Sequence, residues 1–194
     1  IQSQMESGKY FKIISYEKLT NCNLFKNLKL GIDPKLFTHN QINNYFSKHN
    51  TVKFLSNNLI DEIKTQKVTN NIPFYSLKDK IIGEKSESKI DKIKNYLKKN
   101  KADNLFVSAP ENVAWILNIR GGDGPNSPIP NSRLIINKSK KIFLITESQK
   151  AKKLIKEKII KKKQLILTND LPKKILALNG KNFIIDNKSC SIFY

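Results

Sequence analysis

The chain has 194 residues, 39% of them hydrophobic, and a formal net charge of +20 from 36 basic and 16 acidic side chains. That is enough for one medium domain and part of a second, with a core that needs no staples. Two cysteines far apart in sequence exclude a disulfide framework and fit a reducing compartment, while the lack of a signal pattern or bilayer-length apolar run leads us to expect a soluble, cytoplasmic protein without a membrane partner.

The pattern alternates strands and helices along the chain. Residues 10–14 and 28–32 read as strands with a short polar helix between them, and 39–49 as a helix capped by Asn40 with Ile42, Tyr45 and Phe46 on one face. Residues 52–55 return as a strand. Periodicity then fades through Asn70-Asn71, Pro73 and Gly83, which places a connection at 67–87 between a first unit, 1–66, and a second, 88–194. Ser88 opens a helix carrying Ile90, Ile93 and Leu97, followed by a strand at 104–107. Pro110 opens another helix, expected to turn Val113, Trp115 and Ile116 inward. Strands at 134–136 and 142–145 flank the polar turn 137–140 and form a hairpin. A helix at 148–160, a strand at 164–167, a helix at 170–178 and a strand at 182–186 complete the layout, with the lysines of 150–163 on a solvated helix face. This is an α/β architecture, a mixed sheet flanked by helices.

The positive charge invites a nucleic-acid reading through counterion release. All but two of the basic residues are lysine, however, scattered with few aromatics nearby. Arginine is the better fork for phosphates and bases, so a solvated surface is the better reading and no specific nucleic-acid partner is expected. His39 and His49 lie in a polar stretch and do not form a ligand set.

Residues 110–130 depart furthest from random composition. They hold the only Trp, one of the two Arg, three of the seven Gly and four of the seven Pro. An apolar run delivers Arg120 into Gly121-Gly122-Asp123-Gly124-Pro125, a shaped loop beside a buried element. The loop runs into prolines instead of opening a helix, which excludes a dinucleotide fingerprint. We expect Trp115 in the core for the area its ring buries. Arg120 has two readings: a pin held by Asp123 or local carbonyls, which we favour, or a group directed at a substrate carboxylate.

Val-Ala-Trp-Ile-Leu-Asn-Ile-Arg-Gly-Gly-Asp at 113–123, with Asn126-Ser127-Pro128, resembles the second amino-terminal domain of the three-domain Xaa-Pro aminopeptidases of the creatinase/prolidase family. Gly31-Ile32-Asp33-Pro34-Lys35-Leu36 with Thr38, Asn58-Leu59-Ile60-Asp61-Glu62-Ile63, and Lys89-Ile90-Asp91-Lys92-Ile93 leading to Ala102-Asp103 agree in order and spacing. The resemblance implies two related domains of RNase H-like topology, the first present only in its carboxy-terminal part. It also implies a catalytic pita-bread domain outside this chain that holds two metal ions, Mn²⁺ or Zn²⁺, through two Asp, one His and two Glu. The fragment is accordingly expected to bind no cofactor and to lack catalytic residues. Trp115, Asn118, Arg120, Gly121 and Asp123 become candidates for shaping the substrate cleft. The implied partners are the catalytic domain of the same parent, short proline-containing peptides and a second parent copy in a homodimer. Two alternatives are a non-catalytic peptide- or protein-binding module of the same fold and a non-specific basic nucleic-acid binder. An RNase H-like nuclease or a serine hydrolase finds no carboxylate cluster and no Gly-x-Ser-x-Gly elbow.

Overall fold

Parallel strands need a crossover helix, and the first part of the chain supplies one. The structure, a computed structural model, describes residues 2–15, 18, 25–63 and 71–194. It divides into two units, Ile1–Thr65 with Ser191–Phe193, and Gln66–Cys190 with Tyr194. In the first unit, helix α1 (Gln2–Glu6) precedes β1 (Lys29–Ile32), α2 (His39–Gln41), β2 (Thr51–Phe54) and α3 (Leu59–Ile63). The turns of α2 continue as a π-helical segment, Ile42–Ser47, and β1 and β2 pair in parallel.

Two expectations fail in this unit. Residues 10–14 form no strand; Tyr10 closes a one-turn 3₁₀ helix, and Tyr10 and Phe11 are exposed with no ladder partner among the described residues. The helix cap is Thr38 instead of Asn40. Its hydroxyl accepts the Gln41 N–H at 3.3 Å while the Gln41 side chain accepts the Thr38 N–H at 2.9 Å. Such a capping box satisfies two otherwise orphaned donors, more than Asn40 offers from inside the first turn. Most of the polar helix expected before residue 28 lies outside the described residues.

The second unit runs β3 (Tyr75–Ser76), α4 (Ser86–Lys99), β4 (Asn104–Val107), α5 (Pro110–Leu117), β5 (Ile119–Arg120), β6 (Arg133–Asn137), β7 (Ile142–Ile145), α6 (Ser148–Lys156), β8 (Leu165–Ile166), α7 (Leu171–Leu176) and β9 (Phe183–Ile185). A five-stranded mixed sheet has the order β8-β7-β6-β4-β9, and β3 with β5 forms a separate antiparallel ribbon. The expected hairpin is the antiparallel β6–β7 pair. Its turn is closed by the Asn137 side chain, whose Oδ1 accepts the backbone N–H groups of Ser139 and Lys141.

Side-chain alternation fills both faces of this sheet. Along β6, Leu134 and Ile136 join Val113, Ile116 and Leu117 of α5 and Ala151 and Leu154 of α6. Ile135 points the other way, to Phe106, Ile145 and Leu171. Each fully buried Val, Leu, Ile or Phe among them contributes about 1.5–3 kcal/mol. Phe74, from the stretch read as a connection, is also fully buried, and its N–H donates to Lys150 O at 2.8 Å. Helix α6 stops at Lys156, short of the expected residue 160, because Lys158 takes φ +60. Ile160 still reaches the core while Ile159 faces solvent.

Candidate functional site

Pro110 occupies the first turn of α5, where its missing N–H costs nothing, and Asn118 ends the helix in the left-handed region at φ 53. Asn118 is then tied down from three sides. Its Nδ2 donates to Glu84 O at 2.9 Å, its Oδ1 accepts from Lys89 Nζ at 2.7 Å, and its carbonyl accepts the Leu77 N–H at 2.9 Å. This fixes the turn that launches β5, where Arg120 pairs with Tyr75.

Lys89 reaches the corner from α4. Its residue is 3% exposed; Nζ donates to Trp115 O at 2.6 Å and stands 4.2 Å from the centre of the Trp115 ring. Desolvation lowers the ammonium's pKa, an effect opposed by Glu84 and reinforced by Arg120. Glu84 itself is held below the usual carboxylate range by hydrogen bonds from Lys92 and Ser88.

The expected inward Trp115 is overturned. The residue is 56% exposed, because α5 directs Val113, Ala114, Ile116 and Leu117 at the sheet and residue 115 falls on the opposite side of the helix. Its ring covers Lys89 instead of filling the core. The expected Arg120–Asp123 pin is also replaced. Arg120 Nη1 donates to Ile119 O at 2.9 Å and Ala114 O at 3.4 Å, the local-carbonyl part of that reading. Asp123 takes Lys150 as its ion-pair partner and accepts the Asn131 N–H at 2.6 Å. Lys150 extends from α6, whose carbonyl at that residue already anchors Phe74, so the salt bridge ties the loop to the same place.

The loop from Gly121 to Ser132 is closed on itself. Gly121 N–H donates to Pro128 O at 2.9 Å, and Gly124 and Ser127 form a bridge. A Cβ on Gly121 would lie 2.7 Å from Pro130 Cα and 2.9 Å from the Phe74 ring, so only glycine permits the approach. Beside Asn118 a groove of about 550 Å³ is lined by Ile90, Leu117 and Ile142 together with the charged Lys85, Lys158, Asp79 and Glu87. No carboxylate among the described residues forms an ion pair with Arg120, which leaves guanidinium donors for an external acceptor.

Chemically, the corner orients backbone and presents charged groups of both signs. Among the described residues no three His, Cys, Asp or Glu side chains come close enough to hold a metal, so the residues here do not fit a two-ion centre. Thus Trp115, Asn118 and Arg120 are brought together, Gly121 and Asp123 lie in the adjoining loop, and Lys89, Glu84 and Lys150 are the participants the sequence reading missed. A signal existed for two of them. Lys89 stands in the same four-residue row as Ile93 and Leu97, and Lys150 four residues before Leu154, so each lysine occupies an apolar stripe.

Residues 64–194 match the family described as the creatinase/prolidase N-terminal domain. Among curated proteins, Xaa-Pro aminopeptidase 1 of Dictyostelium discoideum is 32% identical over 140 residues, covering 66% of this chain and 22% of the relative. Xaa-Pro aminopeptidase ApepP of Drosophila melanogaster is 29% identical over 129 residues, covering 63% and 21%. The chain thus spans about a fifth of the length of these relatives. Among solved structures, an X-prolyl aminopeptidase from Caenorhabditis elegans, described as a cytosolic enzyme with a di-nuclear active site, superposes with a TM-score of 0.69 at 19% identity, over 92% of this chain and 31% of the other. That likeness is one of fold. No described helix is long and apolar enough to cross a membrane.

Proposed function

The chain belongs to the creatinase/prolidase N-terminal domain family, and from that premise we propose that it is the non-catalytic amino-terminal part of a cytoplasmic Xaa-Pro aminopeptidase. The parent removes the residue preceding proline from the amino terminus of short peptides. In this reading hydrolysis belongs to a catalytic domain of the same parent with two divalent ions, manganese or zinc, and the parent pairs as a homodimer. The observation that carries it is the family match over residues 64–194, supported by relatives named as Xaa-Pro aminopeptidases.

The chain's own contribution is to shape access. Asn118 and Lys89 fix where β5 starts, Gly121 and the Asp123–Lys150 pair hold the loop shut, and Trp115 and Arg120 stand at the surface of the corner. Arg120, with donors not committed to a carboxylate, suits the carboxyl end of a short peptide. The test is a peptidase assay with Arg-Pro-Pro and Mn²⁺. The 194-residue chain releases no amino-terminal Arg, whereas the protein encoded by the intact gene does. Metal-dependent release by the 194-residue chain alone, or an intact gene product with neither the ligand set nor the activity, refutes the reading.

A further inference from the structure

A second groove, of about 280 Å³, lies in the same unit, where β4 and β9 end side by side. These strands are parallel neighbours. Helix α5, which leaves the carboxyl end of β4, packs with the core on one sheet face, whereas the segment leaving the carboxyl end of β9 carries Cys190 and Tyr194 to the other. The crevice outside the carboxyl ends of parallel strands, where connections part to opposite faces, is where open α/β sheets bind ligands.

Its lining has a definite chemistry. Ile93, Leu105 and Ile116 make an apolar floor with Trp115 along one side, and Asp186 is the only charged residue lining it among the described residues, in a chain carrying 36 basic side chains. The carboxylate is already oriented: the Lys188 N–H donates to Oδ1 at 3.0 Å and the Ser189 hydroxyl to Oδ2 at 2.9 Å. Each oxygen keeps a lone pair for a further donor, and these bonds hold the group below the ordinary carboxylate range and therefore ionised. Asn112, on the exposed side of α5, adds an amide donor and acceptor at the rim.

We propose that this groove binds the amino-terminal residue of a peptide, with its α-ammonium on Asp186, its apolar side chain on Ile93, Leu105 and Ile116 beside Trp115, and its first peptide group at Asn112. Charge complementarity selects this occupant: a carboxylate at one end of an apolar slot accepts an ammonium and repels an acid. The site requires no metal and no catalysis, so it stands or falls apart from the peptidase reading.

Trp115 is the only tryptophan, so its emission reports the groove directly. Titration of the 194-residue chain with Leu-Gly-Gly gives a saturable change. N-acetyl-Leu-Gly-Gly and Gly-Gly-Gly each bind about tenfold more weakly or worse, the size of one lost charge-assisted hydrogen bond or one buried alkyl group. Asp186→Asn produces a similar loss for Leu-Gly-Gly. Because that substitution also alters the turn at Ser189, Asn112→Lys serves as the second variant: it adds a cation to an exposed helix position and weakens binding while far-ultraviolet dichroism is unchanged. Equal binding of the acetylated and free peptides, or no saturable change up to about 10 mM, a Kd too weak for a built site, overturns the proposal.

Discussion

Replacing Lys89 by Met separates a buried charge that orders the α5–β5 corner from one that is merely tolerated. Met keeps the unbranched stem and much of the volume. What disappears is the ammonium, leaving Trp115 O and Asn118 Oδ1 without donors that now stand at 2.6 and 2.7 Å. An acceptor orphaned in the interior costs about 1–3 kcal/mol. Trp115 O retains a weak bond from the Asn118 N–H at 3.4 Å, and relief of the lysine's desolvation offsets part of the rest. The net loss is about 1–3 kcal/mol, or about 3–10 °C in Tm for a chain of this size. The assay is thermal unfolding followed by far-ultraviolet dichroism. It is repeated with Asn118→Ala and the double variant, whose coupling exceeds about 0.5 kcal/mol if the two side chains act together. The pH dependence adds a sign. The folded-state pKa of Lys89 is depressed, so the unfolded chain binds more protons between that value and the ordinary lysine range. The wild-type protein therefore gains stability relative to Lys89→Met as pH rises through that window. An unchanged or raised Tm for Lys89→Met, or strict additivity with Asn118→Ala, refutes the reasoning.

Gly121→Ala places a methyl 2.7 Å from Pro130 Cα and should destabilise by about 1–3 kcal/mol, read as a fall in urea midpoint; a neutral result means that the loop is not held against Phe74. Asp123→Ala removes the partner of a lysine whose side chain is 13% exposed, and costs about 1–3 kcal/mol in the same measurement. Its loss should also speed proteolytic cleavage within residues 121–132, and an unchanged cleavage rate counts against the loop closure described above. Asp103 and Asp91 are held below the ordinary carboxylate range, Asp103 by the Lys138 ammonium and then the Asn182 N–H, Asp91 by the Lys140 ammonium. With folded pKa values lowered, the unfolded state takes up protons first on acidification, so stability present above about pH 5 declines as pH falls through the carboxylate range. Urea midpoints that stay constant from neutral to acid pH would show these pairs to be inconsequential.

Periodicity was enough to locate β4, β7 and the β6–β7 hairpin, because apolar strand runs bounded by polar turns have few alternatives. It failed at residues 10–14, where an apolar run has no neighbouring strand among the described residues, and a strand is a property of two segments. The exposure of Trp115 has a different cause. Hydrophobic content argued for burial, but on α5 four of its apolar neighbours already fill the inward arc, and the ring found its use over a cation. Adjacency points Arg120 to Asp123, but Lys150 claims Asp123 from a distant helix, a pairing only the fold creates. Asn118 was a candidate through resemblance alone. Its left-handed backbone supplies the physical reason a short amide belongs there.

The register of the sheet has a consequence for the order in which the unit assembles. β6 and β7 meet across a short turn, whereas β4 acquires its second neighbour only when Asn104 aligns with Phe183. Loop-closure entropy makes such distant pairing late and slow. During synthesis, β4 therefore waits with one row of backbone donors and acceptors open, and an open strand edge recruits other chains. The residues from Phe183 onward thus act as the seal on the sheet, and a chain interrupted before them presents β4 as an open edge to aggregation.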